Sequence, residues 1–196
     1  MALFLQERTE PRLEGRVVYL RPPRRRDWRE WAELRGASRE FLVPWEPAWT
    51  ADALTRAAFR RRLQRHAEDW QRDQGYAFFI LHRGDDRLVG GININNVRRG
   101  VAQMASLGYW IGKPYARRGY MSEAIRVALA FAFEQLALHR CEAACLLHNH
   151  ASQSALRRAG FREEGMAKRY LRINGEWQDH LLFALLREEA ESQGII

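Results

Sequence analysis

The sequence predicts an α+β fold in one domain: a mixed, mostly antiparallel sheet flanked by helices. Three observations predict it. Tyr76 to Gly112 holds three apolar stretches joined by short turns that carry Gly84 and Gly100, which is an antiparallel meander. Leu107 to Leu147 then reads strand, loop, helix, strand, and a strand regained through a helix lies parallel to the one it left. Finally, Phe161 to Leu186 forms two long arms around Asn174-Gly175, a pair whose members both accept positive φ and so close a hairpin.

The elements follow in order. Arg16 to Arg21 is short and alternating, hence a strand, and Pro22-Pro23 end it. Trp28, Trp31, Ala32 and Leu34 recur at helical spacing, so a helix spans Arg24 to Arg35 with Asp27 at its cap or in its first turn. Glu40 to Pro47, EFLVPWEP, is an aromatic loop interrupted by prolines, and Trp49 follows it. Such a loop either packs on the core or forms a lid that lines a substrate site. Ala51 to Gln74 reads as a long charged helix with a buried stripe from Leu54 to Trp70, and its arginines read as a solvated face. In the meander, Gly90-Gly91 suggest a bulge. After the central strand, Ile125, Ala128, Leu129, Ala132, Phe133 and Leu136 mark one face of a helix that starts near Tyr120. Cys141 to Leu147 is the next strand, and Asn149 is placed to cap a helix over Ala151 to Ala159 that Gly160 stops. Arg187 to Ile196 reads as a frayed helix or loose end.

Composition excludes several classes. With 46% hydrophobic residues and 11% aromatics, the 196 residues can bury a core. No apolar run approaches the roughly 18 residues a membrane span needs. The start, MALFLQERTEPRLEGR, is interrupted by charge and lacks the apolar centre of a signal peptide. Cys141 and Cys145 fall on one face of one strand without metal-ligand company, so they read as buried free thiols. A cytoplasmic protein without membrane contact is expected. The net charge is +8 and the pI about 10.2. Only Lys113 and Lys168 are lysine, so 32 − 2 = 30 basic residues are arginine. That charge favours polyanions, whether a nucleotide cofactor or ribosomal RNA, although no folded nucleic-acid motif is present.

The stretch richest in chemistry is Leu107 to Ala130. Gly112, Lys113 and Pro114 stop a buried strand, and Arg117, Arg118 and Gly119 lead into a helix. The first N–H groups of a helix have no internal acceptor, and its dipole adds about half a positive charge there. With two arginines alongside, the turn suits a di- or polyphosphate. Neither a Walker loop nor a GxGxxG fingerprint occurs.

YWIGKPYARRGYMSEA, from Tyr109 to Ala124, resembles the acetyl-CoA pyrophosphate loop of the GNAT N-acetyltransferase superfamily. HNHASQSALRRAGFREEG, from His148 to Gly165, and INGEWQDHLLFAL, from Ile173 to Leu185, are similar to its RimJ/RimL branch, the ribosomal-protein N-terminal acetyltransferases. The likeness runs from about Arg12 to Arg187, so a single GNAT domain over residues 1–196 is expected, with its core at about 12–187. The resemblance implies the GNAT fold, in which two adjacent strands splay apart to hold the pantetheine arm. The cofactor would pair with the strand edge at Leu107, Tyr109 and Ile111. Its pyrophosphate would take amides around Arg117, Arg118, Gly119, Tyr120, Met121 and Ser122. Asn149 would bind the pantetheine arm, and Ser152 would be the acid that protonates the departing thiolate. Glu46 is a candidate contact for the acceptor amine. No metal is implied.

The chain departs from the family pattern in places. Ala116 and Met121 occupy the first and last positions of the common loop motif, and Leu156 stands where many members carry a tyrosine acid. Tyr170 and Arg172 stand near the place of an acidic residue before the last turn. The base is open among Glu46, Tyr170, Asp179 and a water chain.

The implied activity is acetyl transfer from acetyl-CoA to a primary amine, with the N-terminal alanine of a ribosomal protein as acceptor. Two alternatives stand beside it. One is an acetyltransferase for a small-molecule amine or antibiotic; the other is a ribosome-associated binding factor with the same fold.

Overall fold

A computed structural model describes residues 11–196, so the reading of the first ten residues as no signal peptide lies outside the described residues. Among the described residues eight strands form one sheet in the order β1-β2-β3-β4-β5-β6-β8-β7. They are β1 (Leu13–Glu14), β2 (Val18–Arg21), β3 (Gly75–His82), β4 (Leu88–Arg98), β5 (Met104–Ile111), β6 (Arg140–Leu146), β7 (Arg162–Ile173) and β8 (Glu176–Leu186). Every neighbouring pair is antiparallel except β5 and β6. The meander, the parallel crossover and the terminal hairpin are therefore all present. Asn174 (φ 45°) and Gly175 (φ 88°) make the hairpin turn in the left-handed region.

The α-helices are α1 (Trp28–Ala37), α2 (Arg39–Leu42), α3 (Arg56–Gln71), α4 (Tyr120–Ala130), α5 (His150–Arg158) and α6 (Arg187–Ser192). β3 is buried on both faces, so its residues divide by parity. Phe78 and Ile80 join α4 residues Ile125, Ala128 and Leu129 in the larger core. Phe79 and Leu81 join Trp31 of α1 and Phe59 of α3 in a smaller core on the opposite face.

Several boundaries differ from the sequence-based expectation. α3 starts at Arg56 rather than Ala51, because the Thr55 side chain accepts the Ala58 N–H (3.2 Å) and caps the helix there. A short 3₁₀ turn at Arg25–Asp27 precedes α1. The buried Asp27 pairs with Arg21 through two hydrogen bonds, of 2.7 and 2.8 Å. It also accepts the Arg24 N–H at 2.7 Å. The α4 helix gives way to a π turn over Phe131–Gln135 instead of running on as one α-helix. EFLVPWEP is partly helical, with α2 followed by a 3₁₀ turn at Val43–Trp45. The expected bulge skips Val89, beside Gly90, since Gly90 faces Ile80 while Leu88 faces Leu81. Both glycines also yield to Trp110. A Cβ at Gly90 would come 2.4 Å from the Trp110 carbonyl oxygen, and one at Gly91 would come 2.5 Å from its Nε1.

Candidate active site

The register of β5 and β6 creates the central feature. They pair only from Met104↔Arg140 to Leu107↔Ala143, although β5 continues to Ile111 and β6 to Leu146. Beyond Leu107 the β5 edge that faces β6 has no strand partner, while its other edge stays bonded to β4 as far as Ile111. A V-shaped opening results, with unpaired backbone groups along Gly108–Ile111. Tyr109 and Ile111 lie in this splayed part, and Leu107 is its hinge.

The loop leading from β5 into α4 closes one end of the opening. Arg117 (φ 62°) and Gly119 (φ 82°) both take the left-handed conformation, and Gly119 is the N-cap of α4. No side chain caps that helix, so the N–H groups of Tyr120, Met121 and Ser122 are left for an outside acceptor. The one acid of the first turn is occupied elsewhere: Glu123 accepts the Val17 N–H at 2.7 Å. A Cβ at Gly119 would meet nothing within 4 Å, so the space before the helix is open. Arg117 and Arg118 are exposed beside it. This donor set fits the pyrophosphate of a CoA thioester, and the free β5 edge fits an extended arm with amide groups.

At the opposite side of the opening, Asn149 caps α5 by accepting the Ser152 N–H at 3.1 Å. Ser152 Oγ lies 2.8 Å from the Tyr109 hydroxyl. Burial pushes the Tyr109 phenol well above its ordinary pKa, so it stays protonated. The Cys145 thiol, next to this pair, is raised by burial, and its hydrogen bond with Ser152 offsets part of the rise. Burial holds Cys141 at about 12. Both cysteines are free and buried, as their pattern predicts, and neither is poised as a thiolate.

A cavity of about 280 Å³ lies at the free end of β6, lined among others by Pro44, Leu146, His148, Asn174, Glu176 and Gln178. Pro44, in the 3₁₀ turn Val43–Trp45, forms part of its wall, and the segment is called the lid for the role proposed for it. The Trp45 ring packs 5.3 Å from that of His148, and the Asn174 N–H donates to the Glu46 carbonyl at 2.9 Å, which ties the lid to the hairpin turn.

Glu46 itself points away from this cavity's wall. Its carboxylate pairs with the buried Arg35 through both oxygens and accepts the Trp49 indole N–H at 2.8 Å. Asp179 accepts the Arg169 N–H at 2.7 Å, and Tyr170 is exposed with its ring edge-on to His180. Sequence reasoning placed Tyr109 on the cofactor strand but missed its bond to Ser152, and no local pattern joins two residues so far apart in the chain. Among the described residues no group of His, Cys, Asp and Glu is arranged to hold a metal ion. No helix among them is long and apolar enough to cross a membrane.

This geometry agrees with what the chain is similar to. A family model described as an acetyltransferase (GNAT) domain matches residues 18–162. The probable N-acetyltransferase YjcK of Bacillus subtilis (strain 168) is 35% identical over 179 residues, which cover 91% of this chain and 99% of that protein. The ribosomal protein uS5-alanine N-acetyltransferase of Escherichia coli (strain K12) is 34% identical over 177 residues, 90% of this chain and 89% of the other. The solved structure of Mycobacterium smegmatis RimJ in complex with CoA-disulfide superposes with a TM-score of 0.82 at 31% identity, over 94% of this chain and 92% of that one.

Proposed function

The chain belongs to the GNAT acetyltransferase superfamily and is an acetyl-CoA-dependent N-acetyltransferase, and we propose that its acceptor is the N-terminal amine of a protein, with alanine of a ribosomal protein as the first choice. The observation that carries this reading is the cavity at the open end of β6. It is lined by Pro44, by Leu146 and His148 just ahead of the Asn149 cap, and by Asn174 of the hairpin turn, which supports a place for an extended N-terminus at the open end of the sheet. The name of the Escherichia coli relative supports the choice of ribosomal protein.

In this reading the amides of Tyr120, Met121 and Ser122 hold the pyrophosphate with Arg117, Arg118 and Gly119. The free β5 edge and Asn149 align the pantetheine arm. Acetyl-CoA supplies the activated acyl carbon. The amine attacks the acyl carbon. As the C–S bond breaks, Ser152 gives its proton to the departing sulfur and takes up, directly or through water, the proton the amine loses on becoming an amide. Tyr109 positions the serine by donating to its oxygen. The raised pKa of the buried phenol keeps that proton on Tyr109, so the tyrosine orients and polarises the serine without being consumed. An α-amine has a pKa near 8, so roughly a tenth is already neutral at pH 7 and can attack without a dedicated strong base. Glu46 acts on the acceptor through the lid, which its pair with Arg35 holds in place.

The test is thiol release from acetyl-CoA with short peptides that begin Ala, Ser or Met, an acetyl-Ala control, spermidine and an aminoglycoside. Turnover on the free-Ala peptide and silence on its acetylated twin is the expected outcome. Turnover on the small amines alone would replace the acceptor class. Salt-sensitive binding to ribosomes with no turnover on any amine would favour the binding-factor alternative.

A further inference from the structure

A second cavity, of about 420 Å³, lies on the other side of the lid, between α1, α3 and residues 46–54. None of the residues of the cofactor loop lines it. Its charge is unbalanced. Arg35, Arg61, Arg62 and Arg65 line it against two carboxylates, Glu46 and Asp52. Glu46 is taken by Arg35 and Asp52 by Arg61. Among the described residues Arg62 and Arg65, both exposed on the rim, then form no ion pair, and Arg62 feels the already paired Glu46 only at longer range, which leaves an excess of guanidinium groups in one concave site.

The surroundings sharpen that imbalance. The guanidinium carbons of Arg35 and Arg62 lie 5.7 and 5.6 Å from the centre of the same indole, Trp31, which is almost fully buried. Trp49 adds a second flat wall, 4.5 Å from the Arg35 guanidinium. Enclosure and the nearby Arg35 hold the Arg62 pKa below its ordinary value. His66, on the same wall, is lowered to about 4 by burial and by Arg62 and Arg65, so it is neutral at pH 7 and adds a hydrogen-bonding group without further charge. Like charges crowded together repel, and an entering anion would relieve that repulsion. Guanidinium groups match the oxygens of a phosphate in paired hydrogen bonds, and two unpaired ones match its two negative charges.

We propose that this cavity is a second anion site, distinct from the acetyl-CoA loop, which binds the dianionic phosphate group of a small molecule through Arg62 and Arg65. The half-buried indole of Trp49 favours an ester with a flat organic part over the bare ion. The two cavities share no lining residue: Pro44 lines the first, and Glu46 to Thr50 line the second.

The experiment is calorimetry on the full chain saturated with acetyl-CoA, which occupies the cofactor loop, with inorganic phosphate and phenyl phosphate as probes. The expected result is binding of phenyl phosphate at one site, tighter than inorganic phosphate, and at least tenfold weaker in Arg62→Ala/Arg65→Ala. The same variant should keep its affinity for acetyl-CoA and its circular dichroism spectrum. In parallel, the NMR pH titration of His66, assigned with His66→Gln, should move to higher pH when phenyl phosphate is added, because the anion offsets the two arginines. Inorganic phosphate binding as tightly as the ester would identify a site for the free ion. Absence of binding, or binding unchanged in the double variant, would overturn the proposal. Loss of acetyl-CoA affinity in the variant, with dephospho-CoA affinity retained, would assign the cavity to the cofactor's own 3′-phosphate and also overturn it.

Discussion

Ser152 owes its place to two neighbours of different kinds. Asn149 fixes its backbone by capping α5, and Tyr109 fixes its hydroxyl from across the splayed strands. In the proposed mechanism Ser152 is the general acid, so Ser152→Ala should lower kcat about 10²-fold, with the acetyl-CoA Kd nearly unchanged. Tyr109→Phe removes one hydrogen bond to the serine oxygen and should lower kcat about tenfold with the same small effect on Kd. Stopped-assay thiol release with calorimetry reads both. An undiminished kcat in Ser152→Ala would remove it as the acid, and an undiminished kcat in Tyr109→Phe would leave the phenol a packing role only. The Asn149 cap is legible in the sequence because a cap and its target lie three residues apart. The Tyr109 contact is not, because it spans 43 residues and exists only once β5 and α5 are packed.

At the scale of elements, the turn from β5 into α4 and the lid carry the argument. Gly119 has φ 82° and open space ahead of it, so a large side chain there would both strain the turn and fill the anion's position. Gly119→Trp should abolish acetyl-CoA binding by calorimetry while circular dichroism stays native; full binding would place the cofactor elsewhere. The lid is held to α1 by Arg35–Glu46 and to the hairpin by the Asn174 bond to the Glu46 carbonyl. Glu46→Gln leaves the buried Arg35 without its counter-charge, and breaking a partly buried pair is more damaging than the pair's net contribution suggests. The expected outcome is a several-fold higher KM for the acceptor peptide with kcat less affected, read from initial rates at saturating acetyl-CoA. An unchanged KM would detach the lid from acceptor binding. The sharp turn into the helix was readable from Arg117-Arg118-Gly119 alone. The partly helical form of EFLVPWEP was not, because its prolines and aromatics are equally compatible with an irregular loop.

For the whole molecule, the pH dependence of stability has an identifiable source in His66. Its pKa is about 4 in the folded chain against an ordinary 6.5, so below about pH 6.5 the unfolded imidazole takes up a proton that the folded one refuses. Stability from this group is complete above pH 6.5 and declines as the pH falls toward 4. Thermal unfolding should show a lower Tm at pH 4.5 than at pH 7, and His66→Gln should lose part of that difference. An equal drop in both proteins would clear His66 of the effect. The carboxylates held low by arginines, such as Glu164 by Arg140 and Asp73 by Arg99, retain their charge through most of this window and contribute chiefly at lower pH.

The order of strands and helices, the hairpin turn, the cap at Asn149 and the left-handed, uncapped entry from β5 into α4 follow from local chemistry: side-chain periodicity, residues that tolerate positive φ, and unpaired helix amides. Local chemistry acts over a few residues, and a sequence displays it directly. The splay of β5 from β6 after Leu107, the pairing of Tyr109 with Ser152, the capture of Glu46 by Arg35 and the unpaired arginines of the second cavity depend on contacts between distant segments. Many partners are chemically acceptable for a guanidinium, a carboxylate or a hydroxyl, and packing of the helices on the twisted sheet selects among them.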